Sequence, residues 1–391
     1  MTTNTLGGKH GENGEHGGAG GAVYGTGSVR AANRYGWDYR RAAGALGPPV
    51  VPIVVAHAHL AGVEPCKLYD QVRKLFGITT TYSMTQIHQC APVRDLLGES
   101  VRFIAFPSFS HLDRYAAFRE GYVKTIESFK KDFNSGMLKL WGSPRLRDLI
   151  PELKDKPFGT TDLAEIDSEW RIKACEVGQS LGMMFMVHIA DPDTWFTAKY
   201  NDAVRYGTKR QQYEGLERML DRFESPWIAA HMGGWPEDLV FLDGLLTRHA
   251  NLHLDTSATK WVVRALGMHT AAETRAFFAK WSGRLFFGSD IVVQEDHLRP
   301  LKQAASPMSD LADSPEAAFD LYASRYWALR AMFETTQEME SPIADPDLMM
   351  VDPEKHTPMS APTLRGIKLD PAMLKMLYRG AVERVVAPFW H

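Results

Sequence analysis

Between residues 52 and 290, eight short apolar segments rich in strand-forming residues alternate with amphipathic segments of helical periodicity. The predicted strands are 52–57, 78–84, 101–106, 137–141, 183–189, 227–231, 251–257 and 284–290. Because a helix-length segment follows each strand, neighbouring strands should run parallel, and eight such units most simply close into a barrel. An open doubly wound sheet is the alternative, but that fold usually has a glycine-rich phosphate loop after its first strand, where this chain has HAHL. We therefore predict an α/β fold, a (β/α)8 TIM barrel.

Helical periodicity is also clear in the connecting segments and beyond the last strand. The connecting helices are predicted within 113–133, 168–182, 209–223 and 236–249. Pro236 suits the first turn of the last of these. Further on, 314–335 is a strongly amphipathic helix, and a final helix begins with Asp370 as its N-cap. Between these two helices, 340–363 is rich in proline and methionine, which predicts irregular structure.

The two ends of the chain differ in composition. Residues 1–22 are mostly glycine and polar residues with little to bury, which predicts a disordered tail. We divide the chain into a flexible tail and entry segment, 1–50, and a barrel domain, 51–391, whose helical C-terminal extension covers about 300–391.

Composition excludes several classes of function. The net charge is −3 and no basic run occurs, which argues against a nucleic-acid partner. No apolar run reaches the roughly 18–20 residues of a membrane span. The N-terminus lacks the apolar core of a signal peptide, so we expect a cytoplasmic protein. Cys66, Cys90 and Cys175 lie far apart and form neither a disulfide framework nor a structural zinc site.

Histidines and a carboxylate stand at the ends of several predicted strands. His57 and His59 are two positions apart, so their side chains leave the first strand on the same face. His188 lies in the fifth strand, His231 ends the sixth and Asp290 ends the eighth. In a barrel enzyme the chemistry sits at the C-terminal ends of the strands. Ordinary hydrogen-bonded core histidines are the alternative, but that explanation must then apply separately at each of these positions.

Four motifs, HAHL, VHIADP, AHMGG and FFGSD, occur in this order. With this order and spacing the chain resembles the amidohydrolase superfamily and, more narrowly, its amidohydrolase-2 branch. That branch includes aminocarboxymuconate-semialdehyde decarboxylase-like and aromatic-acid decarboxylase-like enzymes. The resemblance covers about residues 51–298, and LYRGAVERVV at 377–386 resembles the closing helix of the branch. It implies the same (β/α)8 fold, and a homo-oligomer, since many relatives are dimers or larger.

The resemblance also implies one divalent metal, zinc first, with manganese, iron and cobalt as alternatives; this order agrees with the preferences of imidazole and carboxylate ligands. The implied ligands are His57, His59, His188 and Asp290. The implied catalytic groups are His231, as an imidazole beside the metal, and Asp290, which would handle the proton of an activated water. Two positions depart from the branch: Val55 replaces a common acidic residue, and Ala381 replaces an asparagine.

Several other residues are candidates for contacts with substrate. Lys139, in the fourth strand, is interpreted as a cation for a substrate carboxylate; a structural ion pair, or support for a second metal as in binuclear relatives, are the alternatives. Trp141, Trp195 and Trp235 follow strand ends and would favour a planar substrate, although packing within a lid explains them equally well. Arg145, in the loop after the fourth strand, is a candidate for holding an anionic group.

Three functions remain open. The first is a metal-dependent hydrolase that uses a metal-activated water on an amide, ester or lactone. The second is metal-dependent, non-oxidative decarboxylation of an aromatic or unsaturated carboxylic acid. The third is a non-catalytic ligand-binding barrel, for which Val55 is the one supporting feature. For all three we expect a small-molecule partner that carries a carboxylate or an aromatic ring, with neither nucleic acid nor membrane involved.

Overall fold

A computed structural model describes residue 25 and residues 27–142, 144–300 and 311–390. The predicted tail over 1–22 lies outside the described residues. The division of the chain at residue 51 stays a prediction. None of the helices in these described ranges is long and apolar enough to cross a membrane.

Eight parallel strands form the centre of the molecule. They are β1 Ile53–Leu60, β2 Ile78–Ser83, β3 Val101–Phe103, β4 Met137–Trp141, β5 Met184–His188, β6 Trp227–Ala229, β7 Leu252–Asp255 and β8 Leu285–Phe286. The described pairings run β3-β2-β1 on one side and β4-β5-β6-β7-β8 on the other, all in parallel register. Each strand overlaps one of the predicted apolar segments, although β1 continues beyond its predicted end to Leu60.

Backbone contacts join these two groups of strands into a closed barrel. On one side, Ala105 beyond β3 makes a parallel bridge to Leu138 of β4, and the amide of Lys139 donates to the carbonyl of Ala105 at 2.8 Å. On the other side, the amide of Ala56 in β1 donates to the carbonyl of Phe287, next to β8, at 2.8 Å. The predicted (β/α)8 barrel is therefore confirmed.

Helices surround the barrel and follow its strands. They are α1 Tyr39–Leu46, α2 Val63–Leu75, α3 Ile87–Leu97, α4 Arg114–Phe118, α5 Glu120–Phe133, α6 Arg145–Leu149, α7 Glu169–Ser180, α8 Asp193–Ala198, α9 Ala203–Tyr206, α10 Lys209–Arg222, α11 Leu239–Arg248, α12 Thr259–Met268, α13 Ala271–Lys280, α14 Pro315–Glu334, α15 Asp347–Val351, α16 Pro371–Lys375 and α17 Ala381–Val385. A π-helical turn, Met376–Gly380, joins the last two. Short 3-10 turns lie at Gly98–Ser100, Pro151–Leu153, Met232–Gly234, Glu295–Leu298 and Ala387–Phe389.

Three helix predictions can be compared in detail. The helix expected over 113–133 is divided in two, because the backbone at Arg119 turns to φ −102° and ψ −114°. The helix expected to start near Pro236 begins instead at Leu239, where the side chain of Asp238 caps it. The N-cap predicted at Asp370 is confirmed, since its carboxylate accepts the amide of Met373, the third helical residue.

The chain after the barrel is more ordered than its composition suggests. β9, Ile291–Val293, pairs in parallel with the last residues of β1, and β10, Glu338–Glu340, pairs antiparallel with β11, Thr363–Arg365. Within the segment predicted to be irregular, α15 forms a short helix. α14 is buried from Ala317 to Phe333, so the C-terminal extension packs as part of the core.

Candidate metal centre

His57 and His59 stand within β1, which continues to Leu60 because its last residues pair with β9. Their rings lie on one face of the strand with centroids 5.8 Å apart, as the two-residue period of a strand requires. The His57 side chain is buried, whereas that of His59 is 28% exposed. The two rings therefore run from the barrel interior to its open C-terminal end.

Asp290 brings a carboxylate to both imidazoles. Its Oδ1 lies 3.3 Å from His57 Nε2 and 3.2 Å from His59 Nε2. The backbone of Asp290 has φ +53°, a left-handed conformation that few non-glycine residues adopt, and its amide donates to the carbonyl of His57 at 2.9 Å. This turn between β8 and β9 carries the carboxylate back over β1. The separations suit ligands of one ion held by bonds of about 2.0–2.2 Å.

Asp255, at the end of β7, orients His57 from the other side. This residue was not among the predicted site residues, although LHLDTS places a carboxylate at the same end of a strand as the histidines. Its Oδ2 lies 2.9 Å from His57 Nδ1. An ionised carboxylate only accepts hydrogen bonds, so Nδ1 of His57 carries the proton and Nε2 presents its lone pair to Asp290.

Ser257 extends the same orientation to His231. The Ser257 hydroxyl contacts Asp255 Oδ1 and lies 2.8 Å from His231 Nδ1. Since the carboxylate can only accept, the serine donates its one hydrogen there and accepts from Nδ1 of His231. His231 itself has φ +60°, and its amide donates to Asp255 Oδ1 at 2.9 Å. In this arrangement Nε2 of a neutral His231 carries a lone pair.

The lone pair of His231 faces another one on His188. The two atoms, His231 Nε2 and His188 Nδ1, are 3.0 Å apart. The other nitrogen of His188, Nε2, lies 3.0 Å from Asp191 Oδ1 and donates to it. The Asp191 carboxylate is buried against His188 and does not cap the helix that follows, since the N-cap of α8 is Pro192. Facing lone pairs at this distance require a shared proton or a metal ion between them.

Charges within the cluster shift its pKa values. Burial and Lys139 oppose protonation of His57, but the nearby carboxylates Asp255 and Asp290 outweigh them and raise its pKa above 6.5. Burial lowers the pKa of His59 and holds that of His231 well below 6.5. Burial alone would raise the pKa of both carboxyl groups, but His57 beside them holds the pKa of Asp290 well below 3.8 and also lowers that of Asp255. Near neutral pH the carboxylates are therefore ionised, and His59 and His231 are neutral, as metal ligands must be.

Two overlapping sets of side chains could hold a metal ion. His57, His59 and Asp290 offer ligand atoms within 4.8 Å of one another, and so do His57, His231 and Asp255. In the second set Asp255 already engages the Nδ1 side of His57, which leaves it best suited to orient that ring. The structure thus brings the predicted ligands of β1 and Asp290 together, and places His188 beside His231.

Lys139 lies in the barrel interior with 2% of its surface exposed. Its Nζ has no hydrogen-bond partner among the described residues. Burial lowers the pKa of Lys139 to about 8, against the opposing influence of Asp255 and Asp290. Its backbone is held firmly, since the Tyr122 hydroxyl donates to its carbonyl at 2.5 Å. A buried ammonium without a partner is suited to bind an anionic group that enters the barrel.

The predicted aromatic and arginine contacts divide into two groups. Trp141 is the strand partner of His188, and Lys139 Nζ lies 5.9 Å from its ring centroid. The Arg145 guanidinium lies 5.2 Å from the ring of Trp195. The ring of Trp235 instead stacks on Tyr213 at 5.5 Å. Among the described residues, no ring contact joins Trp235 to the histidines.

Trp261, in α12, lies against the histidines and was not predicted. Its ring centroid is 5.6 Å from that of His231 and 6.3 Å from that of His188, both edge-on. It follows β7 in the helical segment TKWVVRALGM, where a tryptophan is as typical of ordinary packing as of an active-site wall.

Asp255→Asn is expected to weaken zinc binding by about 10–100-fold. The neutral amide accepts a weaker hydrogen bond from His57 Nδ1 than the carboxylate does, so the imidazole ring loses its fixed orientation. Competition with a chromogenic chelator measures the affinity. Asp221→Asn is the matched control, since Asp221 Oδ1 lies 3.4 Å from Nδ1 of the remote His249. Equal zinc affinities for the Asp255 and Asp221 variants would contradict the orienting role.

No protein-family model matches the sequence, and no curated protein matches it. Similar solved structures include an uncharacterized TIM-barrel protein from Bordetella bronchiseptica, with 11% identity, a TM-score of 0.47, and coverage of 87% of this chain and 99% of that one. An amidohydrolase from Burkholderia multivorans with bound HEPES has 11% identity and a TM-score of 0.41, over 86% and 99%. A 5-carboxyvanillate decarboxylase from Sphingomonas paucimobilis has 12% identity and a TM-score of 0.35, over 72% and 98%. Because these similarities are remote, our description of the fold rests on the strand pairing, and our account of the chemistry rests on the residues of the site.

Proposed function

We propose that the chain is a metal-dependent hydrolase that cleaves an amide, ester or lactone in a small molecule bearing a carboxylate. One observation carries the proposal: at the C-terminal end of the barrel, Asp290 Oδ1 lies 3.3 Å from His57 Nε2 and 3.2 Å from His59 Nε2. His57 Nδ1 is already committed to Asp255, so its Nε2 has no proton to share with the carboxylate when the ring is neutral. Such a cluster is stable with a cation in its centre.

The residues present fit one divalent ion, zinc first and manganese, iron or cobalt as alternatives, because imidazole and carboxylate are the ligands that these metals prefer. His57, His59, Asp290 and His188 would hold it. When bound, such an ion supplies Lewis acidity, which polarises a carbonyl group and lowers the pKa of water. The carboxylates raise the pKa of His57, so the ion must displace a proton there and should bind less well in acid.

The other side chains have distinct tasks. The Asp290 side chain is 26% exposed and can accept a proton from water that enters from the open end. His231 is buried and neutral, and the lone pair on its Nε2 faces the centre, where it can accept a proton from a water or a substrate group. Lys139 would bind the substrate carboxylate, and its burial excludes competing water.

Decarboxylation is the second candidate, and the position of Lys139 is the observation that favours it. A carboxylate drawn into the barrel by this ammonium could itself be the group that is lost. Asp290, 26% exposed at the open end, would then relay a proton from solvent to the substrate carbon as the bond to the carboxylate breaks and carbon dioxide leaves. The two reactions share every side chain of the cluster and differ in their products.

Turnover by protein reconstituted with zinc or manganese tests the proposal on a panel of carboxylate-bearing lactones, amides, esters and aromatic acids. We expect hydrolysis products for one class, and release of carbon dioxide would identify the alternative. His188→Ala and Asp290→Ala are each expected to lower kcat at least about 1000-fold while unfolding stays cooperative. His88→Ala, at an exposed position, is the control. Unchanged turnover in either site variant would overturn the mechanism, and a loaded protein inactive on the whole panel would favour a non-catalytic barrel.

A further inference from the structure

The segment that follows the barrel reaches two tryptophans near the proposed metal centre through one carboxylate. Asp347 is the first residue of α15 and has a buried side chain. Its Oδ2 accepts a hydrogen bond from Trp195 Nε1 at 2.8 Å and one from Trp261 Nε1 at 3.0 Å. Trp195 lies in α8, after β5, and Trp261 lies in α12, after β7. One oxygen thus joins two indoles that come from different helices of the barrel.

The two indoles form a continuous wall beside the histidines. Their ring centroids are 5.5 Å apart at an interplanar angle of 73°. Trp261 stands edge-on to the imidazoles of both His188 and His231. A rotation of the Trp261 ring would therefore open or narrow the space next to the two facing nitrogens.

Asp347 is itself held by a buried guanidinium. Nη1 of Arg264 lies 3.3 Å from Asp347 Oδ2 and also contacts Asp345. Nη2 of the same arginine donates to Thr194 Oγ1 at 3.2 Å, next to Trp195 in the chain. The Asp347 amide donates to Asp345 Oδ1 at 3.2 Å. This anchoring gives the carboxylate one position, and hydrogen bonds between an ionised acceptor and buried donors are the stronger kind.

We infer that Asp347 is a positioning residue, which holds the indoles of Trp195 and Trp261 as one wall of the substrate site. The inference rests on the proposed function for the statement that this region is a substrate site. The contacts of Asp347 with the two indoles do not depend on that function. It assigns a task to the C-terminal extension: the extension supplies part of the site and fixes its width on the side of His188 and His231.

Indole N–H signals of the full-length 15N-labelled protein test the contact directly. The chain has 10 tryptophans, and Trp195→Phe and Trp261→Phe each remove one signal and so assign it. Asp347→Asn keeps the shape of the side chain but removes the charge that both indoles contact. We expect both assigned signals to shift in this variant. Asp352→Asn is the matched control, because Asp352 follows the same helix and pairs with Lys355. Unmoved indole signals in Asp347→Asn, or equal shifts in the control, would overturn the inference.

A titration with Mn²⁺ separates this inference from the proposed function. Bound Mn²⁺ is paramagnetic and should broaden the Trp261 signal. The Trp390 signal should stay unchanged, because Trp390 packs beside Gly136, at the opposite end of β4. A wild-type protein that binds no Mn²⁺ would count against the metal centre, whereas the shifts in Asp347→Asn report on the wall alone. The two failures are therefore distinguishable.

The kinetic consequence follows once a substrate is turned over. Asp347→Asn is expected to raise KM by about fivefold and to leave kcat within about twofold, since the wall holds the substrate and does not touch the reacting atoms. In a Trp195→Phe/Trp261→Phe background the same substitution should have no further effect on KM. A loss confined to kcat, or an undiminished effect without the two indoles, would overturn the positioning role.

Discussion

A His57→Ala/His59→Ala variant is expected to lose its bound divalent metal, from about one ion per chain in the wild type to less than about 0.1. Both Nε2 atoms face Asp290 Oδ1, and without them two of the four proposed ligands, Asp290 and His188, remain to hold the ion. This loss of metal affinity is larger than the roughly 10–100-fold decrease in affinity expected when only a residue that orients a ligand is replaced. Elemental analysis of protein purified without chelator or tag measures the metal content.

His88→Ala/His111→Ala is the matched control, because it removes two histidines at exposed positions. It should keep the metal content of the wild type. Metal retained in the β1 double variant would place the ion elsewhere in the molecule. A wild-type protein that neither contains nor takes up metal would remove the enzymatic proposal and leave the β1 histidines with a metal-free role.

Lys139→Met is expected to raise KM for a carboxylate substrate by about 100–1000-fold, because the substrate anion would then be buried without a counter-charge. The corresponding neutral methyl ester should bind almost equally to both proteins. Steady-state kinetics on the acid and the ester, side by side, measure the difference. Lys173→Met, at an exposed surface pair on α7, is the control. An equal loss on acid and ester would show that Lys139 does not bind the carboxylate.

Because Lys139 is buried, we also expect the difference in stability between the metal-free wild type and Lys139→Met to depend on pH. The pKa of Lys139 is about 8 in the folded chain, below the 10.5 of an unfolded lysine. Below pH 8 both states hold the proton, and the folded state bears the cost of burying the ammonium. Between pH 8 and 10.5 the unfolded chain binds more protons than the folded one, so this contribution to the free energy of unfolding rises with pH.

Lys139→Met should therefore be more stable than the wild type at pH 7, by on the order of 1–3 kcal/mol, and the gap should narrow at pH 10. Urea denaturation of chelator-treated proteins at the two pH values measures both gaps. A variant less stable than the wild type at pH 7 would indicate that Lys139 serves a structural ion pair. That outcome would also count against its role in substrate binding.

Strand positions were predictable because the period of two and the short apolar runs are local properties of the sequence. The same local rule placed His57 and His59 on one face. It also placed His188, His231 and Asp290 at the same end of the barrel. Local rules could not predict the backbone conformation between the strands. Asp290 reaches β1 through a left-handed turn, and this turn depends on the pairing of β9 with β1.

Asp255, Trp261 and Asp347 escaped prediction for a different reason. Each acts through a contact with a residue distant in the chain, such as the one between Asp255 and His57 or between Asp347 and Trp195. A carboxylate at a strand end was a usable signal for Asp255. No periodicity distinguishes Asp347 from the other acidic residues of a proline-rich segment, because its importance comes from the position of its neighbours after folding.

The β8–β9 turn has a consequence for the order of events during synthesis. The carbonyl of His57 accepts the amides of Ser289 and Asp290, so this turn sits on the seam where the first and last strands of the barrel meet. A nascent chain that has not yet emerged past Asp290 has neither the seam nor the full ligand set. An ion captured there would fasten the two ends of the barrel to each other, and such long-range contacts form late in folding. Metal uptake by the newly made protein should therefore report that the ring of strands is complete.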